Sequence, residues 1–150
     1  MNSNKKNTYI GLDVGTKTIG ISTGIPSQGM AFPFELYNRK SFEKDILYIV
    51  KICMEESATK IVVGHPKNMN GSIGPQAEYV DGFVEKLKEN TKIPIFYWDE
   101  RLSTSAVEKF MISADVSRKK RKKVIDAQAA TFILQGFIDH EKSTMRNISS

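Results

Sequence analysis

The sequence predicts a single α/β domain in which a mixed β-sheet carries helices on both faces. Three observations lead to this fold class. The chain has 150 residues, 40% of them hydrophobic, which is enough for one core and gives no support for a second domain. Its N-terminal part contains three short strand-like runs in succession. After them, helical and strand patterns alternate, which is typical of parallel crossover connections.

The first three strands are predicted from short runs rich in apolar residues, β-branched in the first two and aromatic in the third. These runs cover residues 8–14, 19–23 and a stretch within 30–37. The link between the first two runs is only a few residues long, and so short a link joins antiparallel neighbours. This part of the sheet is therefore expected to be an antiparallel meander.

The remaining predicted elements alternate between helix and strand. Serine hydroxyls that precede apolar periodic runs mark helix starts at Ser41 and at Ser103 or Ser105. The predicted elements are a helix over 41–56, a strand over 61–64, a helix over 76–89, a strand over 95–98, a helix after residue 103 and a helix over 122–139. The polar segments 1–7 and 141–150 are expected to be flexible tails on an ordered core of about 8–139.

A carboxylate inside the first predicted strand is the strongest functional signal in the chain. Strand alternation places Asp13 on the same face as Gly11 and Gly15, so both of its neighbours on that face lack a side chain. Removing an ionised carboxylate from water is costly unless a cation or hydrogen-bond donors compensate. We therefore expect a metal, a metal-held phosphate or a basic side chain to approach Asp13 closely.

Two further acids follow other predicted elements. Glu100 comes directly after the fifth strand, and Asp126 lies near the start of the last helix, where three alanines in the next four residues allow close packing on the sheet. Ligands of open α/β sheets bind at the carboxyl ends of the strands, so Asp13 and Glu100 are expected at one edge. Asp99, next to Glu100, should point to the opposite face. An oxygen-only site of three carboxylates suits Mg²⁺ or Mn²⁺ rather than zinc.

The charge of the chain indicates a polyanionic partner. Lys and Arg number 22 against 17 Asp and Glu, which gives a formal net charge of +5. Six consecutive cations occupy residues 118–123, immediately before the helix that carries Asp126. A solvated basic linker is the alternative interpretation of this run. Its position beside an acidic metal site favours contact with phosphate.

The single cysteine and the lack of long apolar runs exclude other classes of protein. One cysteine cannot form an internal disulfide, and the apolar helix face on which Cys53 lies predicts a buried core thiol rather than a nucleophile. No segment has the composition of a secretory leader or the length of a membrane span. We expect a cytoplasmic protein with no membrane partner.

Four segments of the chain resemble, in order, the motifs of the YqgF (RuvX) family. These segments are residues 10–21, 64–71, 99–104 and 126–130. The resemblance spans about residues 8–139. It implies a ribonuclease H-like fold with five strands in the order 3-2-1-4-5. It also implies nucleolytic processing of the 16S ribosomal RNA precursor in ribosome biogenesis. His65, where the family often carries Leu, is either a general acid or a loop residue.

The resemblance also implies a chemistry and a set of site residues. Asp13, Glu100 and Asp126 would hold one or two Mg²⁺ or Mn²⁺ ions that activate water for attack on a phosphodiester. In that strand order the first and fifth strands lie about 9.5 Å apart, a span that an Asp and a longer Glu can bridge through a metal. Candidate nucleic-acid contacts are Lys17, Asn68, Gly71, Arg101, Ser103, Thr104, Arg118, Lys119, Arg121 and Lys122.

Other functions compete with this interpretation. The implied partner is precursor rRNA or a ribosomal precursor particle, bound by a monomer or a homodimer, but the same family is also described as Holliday junction resolvases. A non-catalytic RNA-binding factor for ribosome assembly would use the same basic surface, with vestigial acids. Residues 13–16 also resemble a phosphate loop of actin-like ATPases, which need two such domains. Metal titration separates the nuclease from the binder, which needs no metal.

Overall fold

The computed structural model describes residues 7–66, 74–99 and 118–149, with side chains described for residues 128–144 of the last helix. The elements in chain order are β1 (Thr8–Val14), β2 (Thr18–Ile25), β3 (Met30–Asn38), α1 (Phe42–Glu55), β4 (Ala58–His65), α2 (Pro75–Lys88), β5 (Ile95–Asp99) and α3 (Arg118–Ser149). The helix predicted after residue 103 lies outside the described residues.

The five strands form one mixed sheet in the order β3-β2-β1-β4-β5, which confirms the predicted order. β1 to β3 are an antiparallel meander, whereas β4 pairs parallel with both β1 and β5. The turn between β1 and β2 is closed by the backbone N–H of Gly15, which donates to the carbonyl oxygen of Thr18 at 2.9 Å. β4 begins earlier than predicted because residues 58–60 join the ladder with β1, although they are not an apolar run.

Helices α1 and α2 cover one face of the sheet. The larger core lies there, where alternate apolar residues of β1 and β4 pack against the apolar stripes of both helices. Ser41 is the N-cap of α1, as predicted, and its hydroxyl accepts from the backbone N–H of Lys44 at 3.3 Å. Cys53 is buried in this core, and burial raises the pKa of its thiol to about 12. The prediction of a core thiol is confirmed.

Helix α3 covers the opposite face and approaches β1 closely at Gly11. A Cβ atom at Gly11 would lie 2.8 Å from the Cβ of Leu134 and 2.9 Å from the carbonyl oxygen of Ala130. The hydroxyl of Ser22 on β2 donates to the same Ala130 oxygen at 2.7 Å. At Gly11, two residues before Asp13, the close neighbour on this face is therefore the backbone of α3.

The last helix is longer than predicted at both ends. It begins at Arg118 and continues to Ser149, so the predicted end at Asp139 is too early. Glu141 accepts a hydrogen bond from the hydroxyl of Tyr9 at 2.6 Å and forms an ion pair with Lys60. The segment 141–150, predicted as a flexible tail, thus starts with a residue that is anchored to the sheet. Apolar periodicity could not predict this contact, because both partners of Glu141 bind it through polar groups. None of the helices, over their described residues, is long and apolar enough to cross a membrane.

Candidate functional site

Asp13 lies near the carboxyl end of β1 in a frame of glycines. Its side chain is half-buried, and its partner in the β1–β2 ladder is Gly20. Gly11 and Gly15 occupy the neighbouring positions on its own face of the strand. The parallel ladder to β4 pairs Leu12 with Val63, so the next residue on that side is Gly64. The sheet positions that directly adjoin Asp13 on this face are therefore glycines.

Helix α3 runs antiparallel to β1 across this face. The ring of Tyr9 lies 6.0 Å from that of Phe137, and Gly11 contacts Leu134 and Ala130. An advance of two residues along β1 covers about 6.7 Å, and one turn of α3 covers about 5.4 Å. Two residues of β1 therefore lie beside roughly one turn of α3. Moving along β1 towards Asp13 means moving along α3 towards its N-terminus. Asp126 lies in α3 one turn before Ala130, and its side chain is outside the described part of the chain.

The end of β5 sorts its residues onto two faces. Trp98 pairs with Gly64 and packs on α3, since a Cβ at Gly136 would lie 2.9 Å from its indole ring. Asp99 pairs with His65, and side chains alternate along a strand, so Asp99 lies on the α2 face. This is the face opposite Asp13, in agreement with the prediction for Asp99. Glu100 lies outside the described residues.

His65 is the last residue of β4, and its side chain is on the α2 face. Its Nε2 atom lies 3.0 Å from Oδ1 of Asp81, and the hydroxyl of Tyr97 donates to the same oxygen at 2.7 Å. Burial, followed by this hydrogen bond to Asp81, raises the pKa of Tyr97. The ring of His65 is buried and directed away from the Asp13 face, so this geometry does not support the hypothesis of a general acid.

Arg39 holds the turn that follows Asp13, a role that sequence reasoning missed. Its Nη1 atom donates to the carbonyl oxygen of Gly15 at 2.9 Å, and its backbone N–H donates to that of Lys17 at 2.9 Å. Nη1 also donates to the hydroxyl of Tyr79. The Arg39 side chain is only 7% exposed. A buried guanidinium therefore connects the β1–β2 turn to α2.

Asp45 in the first turn of α1 neutralises Arg39. Nε of Arg39 donates to Oδ2 of Asp45 at 2.8 Å, and the Asp45 side chain is 1% exposed. Burial alone would raise the pKa of this carboxyl group. The hydrogen bonds from the Lys40 backbone N–H, from Arg39 and from the Tyr37 hydroxyl outweigh burial, and the pKa of Asp45 is lowered. An isolated Arg after a strand and an acid at a helix start carry no periodic signal, which is why sequence reasoning missed the pair.

The other predicted site residues fall into three groups. Lys17 is exposed at the turn next to Asp13. Arg118, Lys119, Arg121 and Lys122 lie in the first turns of α3, with side chains outside the described part. Outside the described residues lie Asn68, Gly71, Arg101, Ser103 and Thr104. Within the described residues, no group of three or more His, Cys, Asp or Glu is placed to hold a metal ion.

Comparisons with known sequences find one family. Its model, described as RuvX, Holliday junction resolvase, matches residues 7–140. A "Putative pre-16S rRNA nuclease" of Desulforamulus reducens is 53% identical over 130 residues, covering 87% of this chain and 95% of the relative. Proteins of the same name are 52% identical in Caldanaerobacter subterraneus subsp. tengcongensis, covering 90% and 98%, and 44% identical in Bradyrhizobium sp., covering 95% and 89%.

Solved structures share the fold at low sequence identity. Thermus thermophilus RuvC in complex with a Holliday junction substrate aligns with a TM-score of 0.60 and 12% identity, over 92% of this chain and 97% of that chain. A structure of Thermus thermophilus RuvC aligns with a TM-score of 0.54 and 9% identity, over 91% and 97%. This likeness concerns the fold alone, and it confirms the predicted ribonuclease H-like architecture.

Proposed function

The chain belongs to the RuvX family, and from this we propose that it is a nuclease that hydrolyses phosphodiester bonds with divalent metal ions held beside Asp13. The name of its relatives directs the proposal to the 16S rRNA precursor as substrate. The family description makes a four-way DNA junction the second candidate. The observation that carries the proposal is the position of Asp13, a half-buried carboxylate framed by glycines at the carboxyl edge of the sheet.

The register of α3 supports Asp126 as the second carboxylate. α3 runs antiparallel to β1, with Gly11 opposite Ala130. Two further residues along β1 lead to Asp13, and one further turn along α3 leads to Asp126. The small residues predicted to let this helix approach the sheet include Ala129 and Ala130, both of which are buried.

The alternation of β5 supports Glu100 as the third carboxylate. Trp98 lies on the α3 face and Asp99 on the α2 face. We assign the next position, Glu100, to the face of Asp13, because consecutive residues of an extended chain alternate. Two strand spacings separate β1 from β5, since β4 lies between them.

The donor set fits a hard divalent cation. Asp13, Glu100 and Asp126 offer only carboxylate oxygens, which Mg²⁺ and Mn²⁺ prefer, and the glycine frame leaves space beside Asp13. When bound, one or two such ions supply the positive charge that lowers the pKa of an attacking water and stabilises the departing 3′ oxygen. The carboxylates hold that charge in place, and their mutual repulsion is relieved by it.

Basic residues would position the substrate strand. Lys17 is exposed in the turn, three residues beyond the end of β1 at Val14, and Arg39 holds that turn through the Gly15 carbonyl. The run of cations over 118–123 lies in the first turns of α3. Moving along β1 from Gly11 to Asp13 corresponds to moving along α3 towards this end of the helix. Lys17 and this run would contact phosphates without reading base sequence.

A cleavage assay tests the proposed function. The substrates are a labelled 16S precursor fragment, an unrelated single-stranded RNA and a four-way DNA junction, each with Mg²⁺, with Mn²⁺ or with EDTA. We expect metal-dependent cleavage of the precursor fragment in preference to the unrelated RNA. Preferred cleavage of the junction would make the chain a resolvase. RNA binding without cleavage of any substrate, and without metal binding by calorimetry, would make it a non-catalytic binding module.

A further inference from the structure

A band of exposed lysines runs from the candidate site along α1. It consists of Lys17 in the β1–β2 turn, Lys40 just before α1, and Lys44 and Lys51 on α1, and it is called the lysine track below. Lys44 and Lys51 are seven residues apart and therefore share one face of the helix. All four side chains are exposed.

Two adjoining cavities connect the track to the candidate site. The first, of about 380 Å³, is bounded by Thr16 and Lys17 of the turn after Asp13 and by Lys40. The second, of about 410 Å³, is bounded by Lys40, Lys44 and Lys51. Because Lys40 borders both, the track is continuous from the edge of the sheet that holds Asp13 to the third turn of α1.

Among the described residues, no carboxylate forms an ion pair with a lysine of the track. The two cavities are lined by Arg39 and the four track lysines, with Asp45 as their one carboxylate, and Asp45 is paired with Arg39. None of the track lysines forms an ion pair with a carboxylate in the described part of the chain, whereas Lys86 and Lys88 on α2 lie 4.0 Å and 3.8 Å from glutamates. The nearby Glu35 accepts from the Tyr48 hydroxyl.

Rings and an aliphatic side chain form the wall between the lysines. Tyr37 and Tyr48 stack with ring centroids 4.4 Å apart, and Nζ of Lys40 lies 5.1 Å from the Tyr37 ring centroid. Leu47 is 62% exposed between Lys44 and Lys51. The result is a shallow groove with an apolar wall and cations along its length. A row of equivalent cations matches a repeating polyanion better than a folded acidic protein, whose charges are not regularly spaced.

We propose that the lysine track binds the sugar-phosphate backbone of a nucleic-acid strand that continues from the candidate site over α1. The track lies on the α1 side of the sheet, and the cations of 118–123 belong to α3 on the opposite side. A strand crossing the sheet edge at Asp13 would thus meet basic residues on both sides of the site. This inference rests on the proposed nuclease function, because it names a surface that holds its substrate.

The test measures binding without catalysis. Fluorescence anisotropy of a labelled RNA and of a DNA of the same sequence is recorded in EDTA over a range of KCl concentrations. The test variant replaces Lys40, Lys44 and Lys51 by Gln, and the matched control replaces Lys86, Lys88 and Lys92 by Gln, with the same change of net charge. We expect the track variant to bind about tenfold more weakly than the control. Its salt slope should fall by about 2, as expected for three lost single-strand phosphate contacts.

The outcomes separate this inference from the proposed function. Equal affinities and slopes for the two variants overturn the track, even if the wild-type chain cleaves RNA. A weakened track variant supports the track, even if no cleavage is found in any metal. A loss of binding to RNA alone, or to DNA alone, supports the track and identifies its nucleic acid. Because the substituted lysines are exposed, we expect both variants to have the melting temperature of the wild-type chain. Replacing Lys40, Lys44 and Lys51 by Arg keeps the charge and must restore binding.

Discussion

Asp13 occupies a place in β1 where the neighbouring positions of the sheet have no side chains. The half-buried carboxylate has glycines at the adjoining sheet positions on its own face, and the acids proposed to join it would repel it. At the scale of the residue, this setting favours the binding of a metal ion, at a cost to the stability of the metal-free fold. The same setting makes the effect of replacing the carboxylate predictable.

Asp13→Asn should abolish cleavage while the fold is kept. The amide has the same volume but no charge, so we expect the cleavage rate to fall about a hundredfold or more. Even mutation of residues that only hydrogen-bond to metal ligands typically lowers metal affinity or activity about 10- to 100-fold. The melting temperature in EDTA should be unchanged or higher, because one repelling carboxylate is removed. Glu78→Gln, an exposed acid of α2, serves as control. Cleavage at the wild-type rate would eliminate the three-carboxylate site.

The two acids at the end of β5 should differ in their effect on activity. Asp99 lies on the α2 face with His65, whereas we assign Glu100 to the face of Asp13. Glu100→Gln is expected to reduce cleavage as strongly as Asp13→Asn, and Asp99→Asn much less. Both rates are measured under saturating Mn²⁺. An inactive Asp99→Asn protein beside an active Glu100→Gln protein would mean that the other acid binds the metal.

At the scale of the element, two connections hold the site together. The ion pair of Arg39 and Asp45 ties the turn after β1 to the start of α1. The contact of Gly11 with Ala130 ties β1 to α3. Each connection joins an element that carries a proposed site residue to a second element. Each can be weakened by a single substitution.

The Asp45 carboxylate should make stability depend on pH in the acid range. Its pKa is lowered in the folded state from an ordinary value of 3.8, so its contribution is fully present above that value and is lost as the pH falls through the folded-state pKa. Asp45→Asn leaves Arg39 buried without its counter-charge, and we expect a loss of about 3 kcal/mol at pH 7. Urea unfolding of both proteins at pH 7, 5 and 3 measures the difference.

The difference between these two proteins should shrink below about pH 4, as the wild-type carboxylate becomes protonated. Glu141, whose pKa is also lowered, titrates in both proteins and so cancels. A difference that stays constant down to pH 3 would show that the Asp45 charge does not stabilise the fold.

Gly11→Ala should separate α3 from the sheet. The new Cβ would lie 2.3 Å from Oγ of Ser22 and 2.9 Å from the Ala130 carbonyl oxygen. We expect the free energy of unfolding to fall by about 1–3 kcal/mol. Mn²⁺ binding, measured by calorimetry, should also be weaker, because Asp126 moves with α3. Gly82→Ala is the control, since an added Cβ in α2 meets no atom within 4 Å and should stabilise by about 0.5–1 kcal/mol. Equal effects of the two substitutions would contradict this account.

At the scale of the whole molecule, the sheet separates two packed layers. The larger core lies between the sheet and α1 and α2, the smaller one between the sheet and α3. The candidate site lies at the carboxyl edge of the sheet, with the lysine track on the α1 side and the cations of 118–123 on the α3 side. The one cysteine of the chain, Cys53, lies in the larger core, so its reactivity reports whether that core opens.

Cys53 should react with a thiol reagent only after the protein unfolds. Its side chain is buried in the core under α1 and α2, and burial raises its pKa to about 12, so neither access nor thiolate is available at neutral pH. We expect labelling by 5,5′-dithiobis(2-nitrobenzoate) at pH 8 to be slow in buffer and complete in 6 M guanidinium. Rapid stoichiometric labelling of the folded protein would show that this core opens readily.

The order and type of the described elements were determined by the sequence itself, because strand alternation, helical periodicity and the cap at Ser41 depend on neighbouring residues. The tertiary structure alone decided which polar residues meet. Arg39 reaches Gly15 across 24 positions, Tyr9 reaches Glu141 across 132, and His65 turns to Asp81 rather than to Asp13. The physical reason is that a buried polar group must be paired, and its partner is set by packing rather than by position in the chain.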